Sequence, residues 1–161
     1  MSGNMKGNER EERLYLAYGS NLNITQMQAR CPYARIAGKA ELSDWRLMYK
    51  GSGSGNYLTI ERAEGHKVPV AVWAVTREDE ENLDWYEGFP VFYYKKNMLV
   101  TMEEIDGGTA RQVNTFVYIM HEDRLLGCPS QSYVDRCMEG YQDFGFDPAI
   151  LEEAYEFSCR G

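Results

Sequence analysis

Leu14-Tyr15-Leu16-Ala17-Tyr18-Gly19-Ser20-Asn21-Leu22-Asn23 reads as a short strand that stops at a glycine and runs into a helix. Leu14, Leu16 and Tyr18 alternate with Tyr15 and Ala17, a set suited to a half-buried or fully buried strand. Gly19 permits a tight backbone path that a Cβ is expected to obstruct. Ser20, Asn21 and Asn23 are residue types that cap helix starts, and Ile24 to Arg30 supply one or two helical turns. Such a junction presents backbone N–H groups with no partner inside the helix. With the helix dipole, they favour a carboxylate, a phosphate or a developing oxyanion. An ordinary capped strand–helix junction has the same letters, so the stretch leaves both readings open.

The chain around it has 161 residues, 43% hydrophobic and 26% charged, enough for one domain with its own core. Its net charge of −8 and the lack of a basic face argue against nucleic acid. No apolar run is long enough to span a bilayer, and residues 1–13 lack the apolar core of a signal peptide, so the expectation is a cytoplasmic protein with no membrane partner. Cys31, Cys128, Cys137 and Cys159 form no Cys-x-x-Cys pair, and only His66 and His121 could join them. Metal is therefore not expected, and the cysteines read as reduced packing thiols.

Residues 1–12 are expected to be a flexible tail, and 13–161 a single domain. The first helix should end near Cys31, before Pro32. Residues 35–50 suit strands. Gly51-Ser52-Gly53-Ser54-Gly55-Asn56 is glycine-rich, but no Gly-Lys-Ser/Thr follows, so it reads as a mobile loop bordering a pocket rather than a phosphate loop. Tyr57–Glu61 and Val68–Thr76 read as two further strands, the second central. Thr76 then caps a helix whose first turn is acidic and whose end is marked by Gly88. Residues 89–105 and 111–120 give two strands joined by a turn at Asp106-Gly107-Gly108. Gln131 to Asp143 shows helical spacing, and Asp147-Pro148 opens a last helix. The pattern is α+β, with largely antiparallel strands curling around a core and helices outside.

Glu87 stands out among the acids. It closes a helix, where the dipole disfavours a further negative charge, and it lies among Trp85, Tyr86, Phe89 and Phe92. If it faces inward, desolvation also raises its pKa, as a base working near neutrality requires. An exposed glutamate at a helix end is the bland alternative. Tyr18, Tyr94, Tyr118 and Tyr133 are candidate pocket tyrosines or plain core residues.

In order along the chain, these pieces resemble the γ-glutamylcyclotransferase family. Tyr18-Gly19-Ser20-Asn21-Leu22 is similar to its substrate loop, Ala40 to Leu47 and Val72-Trp73-Ala74-Val75 to the strands that follow, and Leu83 to Phe89 to the helix end carrying its catalytic glutamate. Tyr118-Ile119-Met120 and Pro129-Ser130-Gln131-Ser132-Tyr133 resemble later pocket segments. The resemblance implies a small mixed, largely antiparallel β-barrel with flanking helices. It implies a cofactor-free reaction in which the substrate's α-amine attacks its own γ-glutamyl amide, releasing 5-oxoproline and an amine or amino acid. It makes Glu87 the general acid/base and places Tyr18, Gly19, Ser20, Asn21, Leu22, Tyr94, Tyr118 and Tyr133 around a small γ-glutamyl substrate. Glutathione-specific relatives typically carry Leu directly after Gly-Ser. Asn21 in that place points away from glutathione and leaves the leaving group open. The competing reading is a non-catalytic module binding a γ-glutamyl or other small acidic metabolite. A third gives exposed aromatics to a homodimer interface.

Overall fold

Two long strands set the architecture of the computed structural model, which describes residues 11–160. β2 (Arg35–Ser52) and β3 (Gly55–Thr76) pair antiparallel over nearly their whole length. β3 also pairs antiparallel with β1 (Glu12–Ala17), and β1 runs parallel to β5 (Ala110–Met120). β5 pairs antiparallel with β4 (Tyr93–Glu104), and β4 returns to β2 where Gly38 and Lys39 meet Glu104 and Glu103. The order β3-β1-β5-β4-β2 therefore closes back on β3. It is a five-stranded mixed barrel with one parallel pair. The two-residue β6 (Leu125–Leu126) adds to β2 outside the ring. Of the expected tail, residues 1–10 lie outside the described residues, and Glu12 already pairs with Thr76.

Leu16, Val70, Val72, Trp73, Phe116 and Ile119 are fully buried in the core between and around the strands, Trp73 packing edge-on against Phe144. Four α-helices flank the described barrel: α1 (Ile24–Arg30), α2 (Arg77–Glu87), α3 (Gln131–Phe144) and α4 (Ala149–Arg160). Local chemistry starts and stops them as the sequence indicates. Asn23, Thr76 and Ser130 each accept a hydrogen bond from a first-turn N–H, and Gly88 and Gly145 close α2 and α3 in the left-handed conformation. No helix among the described residues is long and apolar enough to cross a membrane.

Three expectations are corrected. The glycine-rich stretch 51–56 is a tight hairpin: Gly51 pairs with Asn56 and Ser52 with Gly55, leaving only Gly53-Ser54 as the turn. The two strands expected over 57–76 are one strand with an irregularity, where the register jumps between Ser43/Lys67 and Trp45/Arg62. There Asp44 adopts φ 66° and accepts the Gly65 N–H at 3.0 Å. The four cysteines are not all free thiols: Cys128 and Cys159 form a disulfide with Cα atoms 4.7 Å apart, while Cys31 and Cys137 are free and buried. The Tyr49 backbone explains the meeting. Its N–H donates to Ser158 Oγ and its carbonyl accepts from Gly127, so one β2 residue docks a neighbour of each cysteine.

α3 packs closely against the loop after β1. A Cβ on Gly140 would lie 2.6 Å from the Asn23 nitrogen and 2.7 Å from Leu22. Gly140→Ala is therefore expected to destabilise the fold despite better helix propensity. Overpacking costs about 1–3 kcal/mol, against about 1 kcal/mol gained from the helix. The net loss should appear as a lower urea midpoint, and an unchanged or higher midpoint would show that the loop yields freely.

Candidate active site

α2 delivers Glu87 to a cavity. Its capping box is reciprocal: Thr76 Oγ1 accepts from the Asp79 N–H, and Asp79 Oδ2 accepts from the Thr76 N–H. At the far end the Gly88 N–H donates to the Trp85 carbonyl at 3.2 Å, and the Phe89 N–H to the Asp84 carbonyl at 2.9 Å. Those two bonds need the left-handed turn that Gly88 makes, at φ 62° and ψ 39°. The chain is thereby turned away one residue after Glu87, whose carboxyl stays at the wall of a cavity of about 410 Å³.

Glu87 is half-buried, and among the described residues its carboxylate makes no side-chain hydrogen bond or ion pair. Burial pushes its pKa up to about 7, against the opposing pull of the Arg30 guanidinium. The group thus stands half-ionised near neutrality, facing a space that a ligand can enter.

Six of the residues expected at the site line this cavity with Glu87: Tyr18, Gly19, Ser20, Asn21, Tyr118 and Tyr133. Ser20 to Leu22 form a single 3₁₀ turn, not the start of a continuous α-helix. Its first internal bond runs from the Leu22 N–H to the Gly19 carbonyl at 3.0 Å, so the N–H groups of Ser20 and Asn21 have no partner within the turn. A Cβ at Gly19 would meet Leu58 Cβ at 3.4 Å and the Tyr133 hydroxyl at 3.5 Å, filling cavity space rather than blocking the backbone.

Several hydroxyl groups are already engaged. Tyr18 donates to the Tyr118 carbonyl at 2.7 Å, and Tyr118 donates to Asp84 Oδ1 at 2.6 Å. Tyr133 accepts the Leu58 N–H at 3.2 Å. Burial raises the pKa of all three well above the ordinary phenol range, so they remain protonated.

Two expected site residues lie elsewhere. Leu22 is fully buried in the core beneath the loop. Tyr94 points to the opposite side of β4, where its hydroxyl donates to Glu122 Oε2 at 2.5 Å. The strand begins at Tyr93 after the turn at Gly88–Phe92, and successive side chains alternate, so Tyr93 lines the cavity instead. Its hydroxyl donates to the Leu58 carbonyl at 2.8 Å. Tyr94→Phe is expected to leave kcat/KM within about threefold of wild type. Tyr93→Phe strands a buried carbonyl and should cost about 1 kcal/mol of stability in denaturant titration. The reverse pattern would restore Tyr94 to the site.

Sequence reading missed Tyr15, Arg30, Tyr93 and Arg136. Arg30 closes α1, and its Nη1 donates to Asn21 Oδ1 at 2.7 Å and to Ser20 Oγ at 3.4 Å. Its guanidinium lies 4.5 Å from the centre of the Tyr86 ring. Asn21 also donates to the Tyr15 hydroxyl at 3.0 Å, so it positions two wall residues at once. The only sequence signal for Arg30 was a cation in a last helical turn. At the mouth stand Trp85, 78% exposed, and Tyr86, 50% exposed. Among the described residues no group of three His, Cys, Asp or Glu side chains is placed to hold a metal.

The family model described as gamma-glutamyl cyclotransferase, AIG2-like, matches residues 15–136, a span that contains every residue lining the cavity. Gamma-glutamylcyclotransferase of Homo sapiens is 32% identical over 104 residues, covering 60% of this chain and 53% of the relative. The Mus musculus protein of that name is 35% identical over 89 residues, covering 51% and 47%. The chain thus spans about half the length of the curated relatives it matches. A solved gamma-glutamyl cyclotransferase superposes with a TM-score of 0.73 at 25% identity, over 89% of this chain and 86% of that one. YkqA from Bacillus subtilis shares the fold, with a TM-score of 0.75 at 16% identity over 98% of this chain and 58% of that one. With a barrel of this topology and a family match across the whole cavity, the chain belongs to the gamma-glutamyl cyclotransferase, AIG2-like family.

Proposed function

We propose that the protein cyclises γ-glutamyl compounds, releasing 5-oxoproline and the amine or amino acid that was bound through the γ-amide. The observation that carries this reading is the place of the Glu87 carboxyl at the cavity wall, without a side-chain partner among the described residues, where burial pushes its pKa up to about 7. The α-ammonium of the substrate gives a proton to the Glu87 carboxylate. The freed α-nitrogen attacks the γ-carbonyl carbon, and the carbonyl oxygen takes up the negative charge. Glu87 returns its proton to the amide nitrogen and then takes the second proton from the α-nitrogen, which bond formation has made acidic; the C–N bond breaks, the carbonyl re-forms within the five-membered ring, and that second proton passes to the departing amine, which leaves as an ammonium. One carboxyl serves each uptake and each return because it gains a proton in the first and loses it in the second. The reaction is redox-neutral and intramolecular, so holding the glutamyl chain folded removes much of the entropic barrier without a cofactor.

The N–H groups of Ser20 and Asn21 suit the developing oxyanion or the α-carboxylate, and Arg30 supplies positive charge beside them. Tyr133 and Tyr15 accept hydrogen bonds from Leu58 and Asn21, leaving their own hydroxyl protons for the ligand. The experiment is 5-oxoproline release followed by mass spectrometry, with a panel of γ-glutamyl amino acids, γ-glutamyl amines and glutathione. Product from at least one donor is expected. Saturable binding of donors with no product from any of them would instead make the domain a binding module.

A further inference from the structure

Little apolar packing holds the helix that carries Glu87 to the barrel. Of the 11 residues of α2, Leu83 is the one buried hydrophobic, while Trp85 and Tyr86 are exposed. What grips the helix is a chain of charges. Lys95 of β4 places its Nζ 2.6 Å from Glu80 Oε2 and 2.8 Å from Asp84 Oδ1, two carboxylates one turn apart on α2. Arg13 of β1 reaches Glu80 Oε2 at 2.7 Å, and the Tyr118 hydroxyl of β5 donates to Asp84 Oδ1 at 2.6 Å. The Lys95 side chain is 19% exposed and its Nζ lies 4.5 Å from the centre of the Phe89 ring, so solvent screens these pairs less than surface ones. Asp84 is where this grip meets the site. It stands three residues before Glu87, a neighbouring position on the helix surface, and its carbonyl accepts the Phe89 N–H in the turn that ends α2. Asp84 does not line the cavity, but Tyr118 does, with its ring in the wall and its hydroxyl spent on Asp84.

We propose that Asp84 and Lys95 are positioning residues that fix the Glu87 carboxyl at the cavity wall, acting through the last turn of α2 and without touching the substrate. The proposal rests on reading Glu87 as the acid/base of γ-glutamyl cyclisation. Proton transfer needs the carboxyl within hydrogen-bond reach of the nitrogen it serves, and a misplacement of about 1 Å can cost about 10²-fold in rate. One buried leucine does not set a helix to that precision, because it leaves the helix free to rock about a single contact. Asp84 ties the end of α2 to β4 through Lys95 and to β5 through Tyr118, so loss of its carboxylate releases both ties together. Loss of the Lys95 ammonium leaves the Glu80 and Asp84 carboxylates without the cation they share. The capping box of Thr76 and Asp79 lies at the other end of α2 and is untouched by either change. The helix therefore persists, and what changes is where its last turn points.

The test measures kcat and KM for 5-oxoproline release with the panel of γ-glutamyl amino acids, γ-glutamyl amines and glutathione, using for every variant the donor that wild type turns over fastest. Asp84→Ala and Lys95→Met are expected to lower kcat by roughly 10–100-fold and to leave KM within about threefold of wild type. Asp84→Asn keeps an oxygen in place for Tyr118 and Lys95, and Lys95→Arg keeps the cation, so both should retain most of the wild-type kcat. In the Glu87→Gln background Asp84→Ala should lower the residual rate by less than about twofold, because no acid/base is left to place. A merely structural role predicts the same factor in both backgrounds. That result, or a loss carried by KM, or a kcat within about threefold of wild type in both Asp84→Ala and Lys95→Met, overturns the positioning role while wild-type turnover keeps the cyclisation reading standing. Absence of 5-oxoproline from every donor with wild type overturns the cyclisation reading and this proposal with it. If Asp84→Ala does not fold, Lys95→Met and Lys95→Arg, each alone and combined with Glu87→Gln, decide the matter.

Discussion

Glu87→Gln is expected to lower kcat for 5-oxoproline release by roughly 10²–10⁴-fold, the usual contribution of a positioned acid/base. Glutamine keeps the length and planarity of the side chain but neither takes a proton from the ammonium nor returns one to the departing amine. Because the proposed mechanism rests both transfers on one carboxyl, the substitution should remove both, and the upper part of that range is the expectation. KM should change little, since the carboxylate site and the tyrosine walls remain. The pH profile supplies a second readout. The base form of Glu87 predominates above about pH 7, so wild-type kcat/KM should climb as pH rises toward 7 and then level off. In Glu87→Gln that acidic limb should be absent from whatever activity is left. A variant within about threefold of wild-type kcat, or one with the same limb, would take the acid/base role from Glu87.

What the sequence revealed and what it hid divide along a physical line. Helix ends were legible because caps are local: Thr76 with Asp79, Gly88, Ser130 and Gly145 each act within a few residues. Glu87 was legible for the same reason, since its place at a helix end and its aromatic neighbours are properties of one short stretch. Closure of the barrel was not, because it depends on Tyr15 of β1 lying beside Phe116 of β5, far along the chain. The exchange of Tyr94 for Tyr93 is a matter of parity. Where β4 starts after the turn at Gly88–Phe92 decides which tyrosine faces the cavity, and a one-residue shift reverses every side chain. Arg30 and Arg136 reach the site through the docking of α1 and α3, and the Cys128–Cys159 bridge through the docking of two segments on Tyr49. Family resemblance supplied the barrel and the loop. It did not supply the strand parity or the arginines.

The same substitution that removes activity should stabilise the fold at alkaline pH. Folding moves Glu87 from a carboxyl of ordinary pKa, 4.5, to one of about 7. The native state therefore binds this proton more tightly than the unfolded chain does. Below about pH 4.5 the group is protonated in both states and does not affect stability. Between about 4.5 and 7 the unfolded chain ionises first, and native stability declines as pH rises. Above about 7 the full penalty for holding a half-buried carboxylate is present. At about 1.4 kcal/mol per pH unit between the two pKa values, it amounts to at most about 3.5 kcal/mol, and solvent in the cavity reduces it. Glutamine carries no charge at any of these pH values. Wild type and Glu87→Gln should then have equal urea midpoints near pH 4, while near pH 8 the variant should be more stable by about 2–3 kcal/mol. A difference of the same size at both pH values would mean that packing, not ionisation, separates the two proteins. A wild type more stable than the variant at pH 8 would mean that the Glu87 carboxylate has a partner in solution, and the raised pKa on which its catalytic role depends would fall with that result. Measured together, the loss of turnover and the pH-dependent gain in stability test one proposed cause, a carboxyl held where its charge is disfavoured and therefore suited to pass a proton.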